Sequence, residues 1–281
     1  MASLINKTPD GTIKLTVTIP WKDIKPTWDS VVLEFVNLAK VPGFRKGKAP
    51  KKLVEDTINK ASVREEVLKR HLPKTYTKAV TEHSLKPIMD PRIHVHSQEG
   101  HGELEEGKDW IFEAETAESP IVDLADYKDK IKVITAKSKI VIPGKESEGP
   151  KFEDIINALL DSVKVTIPKV LVDREADRLL SQSLDEIKRL GLSLDQYLSS
   201  TGRTPQDFRA EYERKADADL RLELALQTIA ENEKITVAEE EINRAIGAAK
   251  SEEEKKQMEQ SRYLIASILR QQKTLDFIKS L

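Results

Sequence analysis

The stretch from Thr204 to Asn232 sets the strongest limit on what this chain can fold into. Thr204 is a helix-capping residue type, and Pro205 suits a first helical turn because its ring presets φ and its missing amide would have no partner there. Beyond it Phe208, Tyr212, Leu220, Leu224 and Leu226 run on at helical spacing to about Asn232. At ~1.5 Å per residue such a helix spans roughly 40 Å, more than a small compact domain requires, so the pattern predicts an arm or a strut.

The rest of the second half has the same periodicity. Phe152 to Val163 predicts one helix, and Pro168 to Leu190 another, with Ala176, Leu180, Leu184, Ile187 and Leu190 in register and Gly191 as a stop. Thr236 is placed to cap Val237 to Ala249. A last helix from about Glu252 carries Leu264, Ile268, Leu275 and Ile278 towards the carboxyl end.

The first half reads differently. Ile13, Leu15, Val17 and Ile19 alternate with Thr12, Lys14, Thr16 and Thr18, the period of a strand with one buried face. After Pro20 and Pro26, Ile24, Trp28, Val31, Val32, Phe35 and Leu38 form a helical stripe, which should yield at Val41-Pro42-Gly43. Helical spacing returns with Leu53, Val54 and Ile58, then with Val63 to Val80, where Pro73 should kink or divide the helix. Ile93 to His96 and Trp110 to Ala114 read as a hairpin across the polar segment 97–107.

These signals predict an α+β domain over 1–120, an antiparallel sheet with helices. A linker over 121–150 follows, with short β-like runs at Ile131 to Ile134 and Ile140 to Ile142 and a turn-rich octet from Pro143 to Pro150. A mainly α-helical, elongated domain with arm-like helices occupies 151–281. Lys164-Val165-Thr166-Ile167-Pro168 and Lys234-Ile235-Thr236-Val237-Ala238 are two similar helix-to-helix corners.

Composition narrows the chemistry. Across 281 residues, 46 basic and 48 acidic side chains give a net charge of −2, so any attraction to nucleic acid must come from a local site. The absence of cysteine excludes disulfides, a thiolate nucleophile and cysteine-ligated zinc. The amino-terminal stretch lacks a secretory apolar run, and no segment approaches the ~20 apolar residues of a membrane span, so a cytoplasmic protein is expected. No Gly-x-x-x-x-Gly-Lys-Ser/Thr cradle for phosphates is present, and no cofactor is expected. His94, His96 and His101 lack a supporting carboxylate or cysteine spacing, so no metal site is expected either.

Local charge is concentrated in Lys40-Val41-Pro42-Gly43-Phe44-Arg45-Lys46-Gly47-Lys48-Ala49-Pro50-Lys51-Lys52. This loop holds six basic residues and no acidic one. Glycine and proline shape a turn, the cations suit phosphate or carboxylate groups, and Phe44 suits an apolar recess or a base face. On composition alone a solvated basic connection fits as well as a docking tip.

Residue order separates the two. Gly43-Phe44-Arg45-Lys46-Gly47-Lys48-Ala49-Pro50 resembles the signature of the trigger factor ribosome-binding domain. Ala61-Ser62-Val63-Arg64-Glu65-Glu66-Val67 and Leu85-Lys86-Pro87-Ile88 are also similar to that family. In the far half, Gly191-Leu192-Ser193-Leu194-Asp195-Gln196-Tyr197-Leu198, Thr201-Gly202 and Lys273-Thr274-Leu275-Asp276-Phe277 resemble its carboxyl-terminal chaperone domain.

The resemblance implies an ATP-independent chaperone docked on the large ribosomal subunit beside the polypeptide exit tunnel. Gly43, Phe44, Arg45, Lys46 and Lys48 would make the contact, with ribosomal RNA among the surfaces in reach. It implies nascent and unfolded polypeptides as partners, assistance to folding and export, and a homodimer off the ribosome. Leu220, Leu222, Leu224, Leu226 and Ile229 lie on several sides of one helix, which divides them between core and client contact. Full-length relatives carry a prolyl isomerase domain between the two parts. Here that interval is the octet Pro143 to Pro150, too short for such a domain, so isomerase activity is not expected. An RNA-binding protein using the basic loop, and a general holdase resembling the envelope chaperone SurA, are the alternatives.

Overall fold

The computed structural model describes residues 2–38, 59–96, 104–138 and 151–281. The chain divides into two compact units, one of residues 1–119 with Pro168–Leu171, the other of residues 120–167 and 172–281. The first unit is built on a four-stranded antiparallel sheet in the order β1-β2-β4-β3, from β1 (Ala2–Lys7), β2 (Thr12–Ile19), β3 (Arg92–His96) and β4 (Trp110–Ala117). Two helices complete it, α1 (Trp21–Leu38) and α2 (Lys60–Glu82).

The alternation in β2 does what its period requires. Ile13, Leu15, Val17 and Ile19 are buried in one core with Trp28, Val31, Val63 and Val67 of the helices, while Lys14, Thr16 and Thr18 stay half-exposed on the other face. On that open face Lys14 reaches Glu115 at 2.6 Å and Glu113 at 3.3 Å across the β2–β4 pair. Burial alone would raise the Glu115 carboxyl, but hydrogen bonding and charge from Lys14 override it and hold it below the ordinary range.

Three readings of this half are corrected. The sheet gains β1, a strand missing from the sequence analysis, paired to β2 from Ala2↔Thr18 to Lys7↔Ile13. Helix α1 begins ahead of Pro26, because the Trp21 amide donates to the Asp109 carboxylate at 2.8 Å; on its stripe Val36 is buried and Leu38 is 65% exposed. Pro73 does not divide α2. It lies on the solvent face, where water can satisfy the carbonyl left without an amide partner, while Val63, Val67, Thr75 and Ala79 anchor the opposite face.

Among the described residues the named elements of the second unit are all helices: α3 (Tyr127–Ser138), α4 (Phe152–Ser162), α5 (Lys169–Arg189, apart from its first three residues), α6 (Leu194–Thr201), α7 (Pro205–Asn232), α8 (Glu239–Gly247), α9 (Glu252–Gln260) and α10 (Arg262–Ser280). Its central core is made where α4 and α10 meet α7 and α3, around Ile131, Leu159, Ile229 and Ile278, each fully buried. Helix α3 overturns the β-like reading of Ile131 to Ile134 and places its residues, Tyr127–Ser138 of the expected 121–150 linker, in the helical unit. Ile131 and Thr135 are buried one turn apart, a helical spacing that a four-residue window cannot distinguish from a strand. Ile140 to Ile142 and the octet Pro143 to Pro150 lie outside the described residues.

Helix ends follow local chemistry at most of these positions. Helix α7 starts at Pro205 behind a capping box in which Thr204 and Asp207 satisfy each other's backbone amides, and Gly191, at φ 76°, ends the α5 turn. Thr236 is not a cap: the residue before α8 is Ala238, whose amide donates to Glu241 at 2.8 Å. The last helix is two, broken at Ser261, whose amide closes α9 on the Gln257 and Met258 carbonyls.

Tyr127 is the most perturbed tyrosine. Burial first, then the Glu233 carboxylate 3.5 Å from its hydroxyl, push its pKa up to about 12. The fold favours the neutral phenol, so this stabilisation is whole below the ordinary tyrosine pKa of about 10 and is lost as pH rises towards about 12. Following tyrosinate absorbance through an alkaline titration should show a last step that Tyr127→Phe removes.

Candidate functional site

The basic loop is the first candidate, and Gly43, Phe44, Arg45, Lys46 and Lys48 all lie outside the described residues. Its frame is described. Helix α1 leads into the loop, α2 leaves it, and the two pack against each other. Arg70 of α2 donates to both oxygens of Glu34 on α1, at 2.8 and 2.7 Å, and to Glu66 at 2.9 Å. Arg70 holds the Glu34 carboxyl below its ordinary range. The fork geometry of guanidinium on carboxylate fixes direction as well as distance, which a lysine would not. His71 adds a second tie, its Nε2 standing 2.9 Å from the Thr27 hydroxyl.

The second candidate is the helical unit's apolar surface, and here the expected residues separate. Leu226 and Ile229 are core, 5% and 0% exposed, so the client-contact reading is corrected for both. Their side of α7 faces α4 and α10, and nothing reaches them without opening the unit. Leu220, Leu222 and Leu224 are half-buried.

Large apolar side chains do stand open elsewhere. On the first turns of α10 Tyr263 is 89% exposed, Leu264 60% and Ile268 53%. Just past α5 Leu190 is 74% exposed, and in a small cluster that includes Ile187 of that helix Tyr197, Phe208 and Tyr212 stack edge to face with centroids 5.9 and 4.9 Å apart. The sequence places Leu264 and Ile268 on the last helix without saying which side they face. The charge run Glu252 to Lys256 just ahead of them, whose pattern reads as a solvated helix face, forms α9, a helix with no buried residue.

The remaining constellations are plain. His94 lies 3.6 Å from Glu115 on the open sheet face, and among the described residues no group of three His, Asp or Glu side chains is arranged to hold a metal. No helix among the described residues is long and apolar enough to cross a membrane.

An α+β unit with a sheet of order β1-β2-β4-β3, followed by a helical unit, is the class of architecture to be matched. The family described as bacterial trigger factor protein matches residues 1–143, and its C-terminus matches residues 144–280. The chain belongs to the bacterial trigger factor family.

Among its relatives, the trigger factor of Mycolicibacterium vanbaalenii is 34% identical over 126 residues, 45% of this chain and 25% of that protein. That of Staphylococcus aureus is 35% identical over 114 residues, 41% of this chain and 25% of that protein. The chain thus spans about a quarter of the length of the curated relatives it matches. A solved structure described as "Promiscuous Substrate Recognition in Folding and Assembly Activities of the Trigger Factor Chaperone" superposes with a TM-score of 0.62 at 14% identity, covering 100% of this chain and 99% of that one, a likeness of fold. The two family matches abut at residues 143 and 144, which leaves no interval between them in this chain for a further domain.

Proposed function

We propose that the chain is an ATP-independent holding chaperone that docks at the ribosomal tunnel exit through Gly43, Phe44, Arg45, Lys46 and Lys48. The observation that carries this reading is the family match across both halves, with the Gly-Phe-Arg-Lys sequence falling between the two clamped helices of the first. On this reading the partners are the large ribosomal subunit, with ribosomal RNA in reach of the cations, and nascent or unfolded polypeptides, and the compartment is the cytoplasm.

The mechanism is non-covalent. Docking raises the effective concentration of the apolar helix surfaces for an emerging chain without any added contact to it. Tyr263, Leu264 and Ile268 offer that chain a patch whose burial contributes ~25 cal/mol per Å² of apolar area, enough to delay misfolding and weak enough to release. The mechanism calls on no proline isomerisation, a reading supported by the two abutting family matches over residues 1–280.

Co-sedimentation with ribosomes tests the reading. The wild-type chain is expected to pellet with ribosomes and to come off as salt is raised, because cations on phosphates release counterions. Phe44→Ala/Arg45→Ala/Lys46→Ala should stay in the supernatant with an unchanged melting curve. Full pelleting of that variant would overturn the docking assignment.

A further inference from the structure

Among the described residues the outer edge of β1 is unpaired. β1 ends the sheet, and among the described residues no backbone hydrogen bond reaches it from the side away from β2. In an antiparallel ladder the N–H and C=O of alternate residues point to opposite sides, so half of the backbone groups of Ala2–Lys7 point outward. Such an edge is a template for one more strand, and proteins that must avoid this place charges, proline or a bulge there.

The two edges of this sheet differ in that respect. β3 follows Pro91 and carries Arg92 and His94 in its five residues. β1 is uncharged from Ala2 to Asn6, and its apolar side chains stand open on both faces, Leu4 at 71% exposure in the row of Thr16 and Ile5 at 36% in the row of Leu15. A strand laid beside it would meet an apolar neighbour above and below the pleat.

We infer that β1 is a strand-addition site for an extended, uncharged polypeptide segment, held by its backbone and by alternate apolar side chains on Leu4 and Ile5. Six residues give an edge of only about 20 Å. One strand-to-strand seam of that length buries far less than the roughly 1,200 Å² a stable dimer needs, which favours a short extended segment over a second copy of the chain. Backbone recognition also suits a partner of no fixed sequence, since every residue except proline offers the same donor and acceptor. The inference rests on the reading of the chain as a holder of unfolded polypeptides, and it adds a second mode of capture that does not depend on the ribosome.

The test uses the purified chain, amide exchange resolved by residue, and a lysine-flanked peptide of alternating valine and threonine. The peptide should slow exchange at alternate residues of β1 about tenfold. N-methylating every second peptide residue should abolish that protection in one phase and spare it in the other. Leu4→Lys should weaken binding about tenfold while tryptophan fluorescence keeps its native value.

Peptide binding with β1 amides unprotected would overturn the edge site and leave the holding function standing. Protection that rises with chain concentration in the absence of peptide would assign the edge to a second copy and overturn the inference. Protected β1 amides in a chain that fails to keep unfolded proteins soluble would sink the holding function instead.

Discussion

Phe112→Ala should lower the stability of the sheet unit by about 3–5 kcal/mol, the range for deleting a fully buried aromatic ring. Phe112 is 1% exposed at the centre of β4, with Val17 of β2 on one side and Val95 of β3 on the other. The readout is built in, because the chain's three tryptophans, Trp21, Trp28 and Trp110, lie within 5.6 to 6.4 Å of one another in this same unit. Urea unfolding followed by tryptophan fluorescence should shift to a lower midpoint. Helical circular dichroism, dominated by the other unit, should retain much of its wild-type transition. An unchanged fluorescence midpoint would contradict the core assignment.

Ile229→Ala should cost about 2–5 kcal/mol in the helical unit, for the same reason on the other core. Ile229 is 0% exposed on α7, so its loss is felt as unfolding and not as weaker binding of clients. The contrasting variant is Tyr263→Ser/Leu264→Ser/Ile268→Ser on α10. Those side chains are open to solvent, and surface changes of this kind stay within about ±0.5 kcal/mol each. Thermal melts and an aggregation-suppression assay on a denatured client, run on both variants, should separate: the first loses stability, the second loses holding. A serine variant that holds clients as well as the wild type would remove the α10 patch from the function.

Where a pattern was long, the sequence was sufficient. Twenty-eight residues of α7 and its Thr204-Pro205 start were legible because cap chemistry and periodicity agree over many turns. β2 was legible because four alternations against one buried face leave no other period. Short or one-sided signals failed. Four residues from Ile131 to Ile134 fit a strand as well as the helix they belong to, and β1 escaped notice because an edge strand exposed on both faces has no hydrophobic side to alternate.

Pro73 shows a different limit. Its effect depends on which face of the helix it occupies, a matter settled by packing and not by propensity. The site divides in the same manner. The proposed docking loop, Gly43 to Lys48, is cationic by composition whatever its shape. Sorting Leu220, Leu222 and Leu224 from Leu226 and Ile229 needed the neighbours of α7, since leucine in a helix looks the same in sequence whether it faces a partner helix or water.

Helices α5 and α7 share two small clusters, one along their length around Ala176, Leu179 and Ala216, the other, with α6, around Ile187, Leu198 and Phe208. Alanines let two helices come close but shed little apolar area from water, so parting them takes less free energy than melting the unit. The contact around Ala176 and Ala216 is therefore expected to open before the core of Leu159, Ile229 and Ile278, and amide exchange along that stretch of α5 and α7 should be the faster.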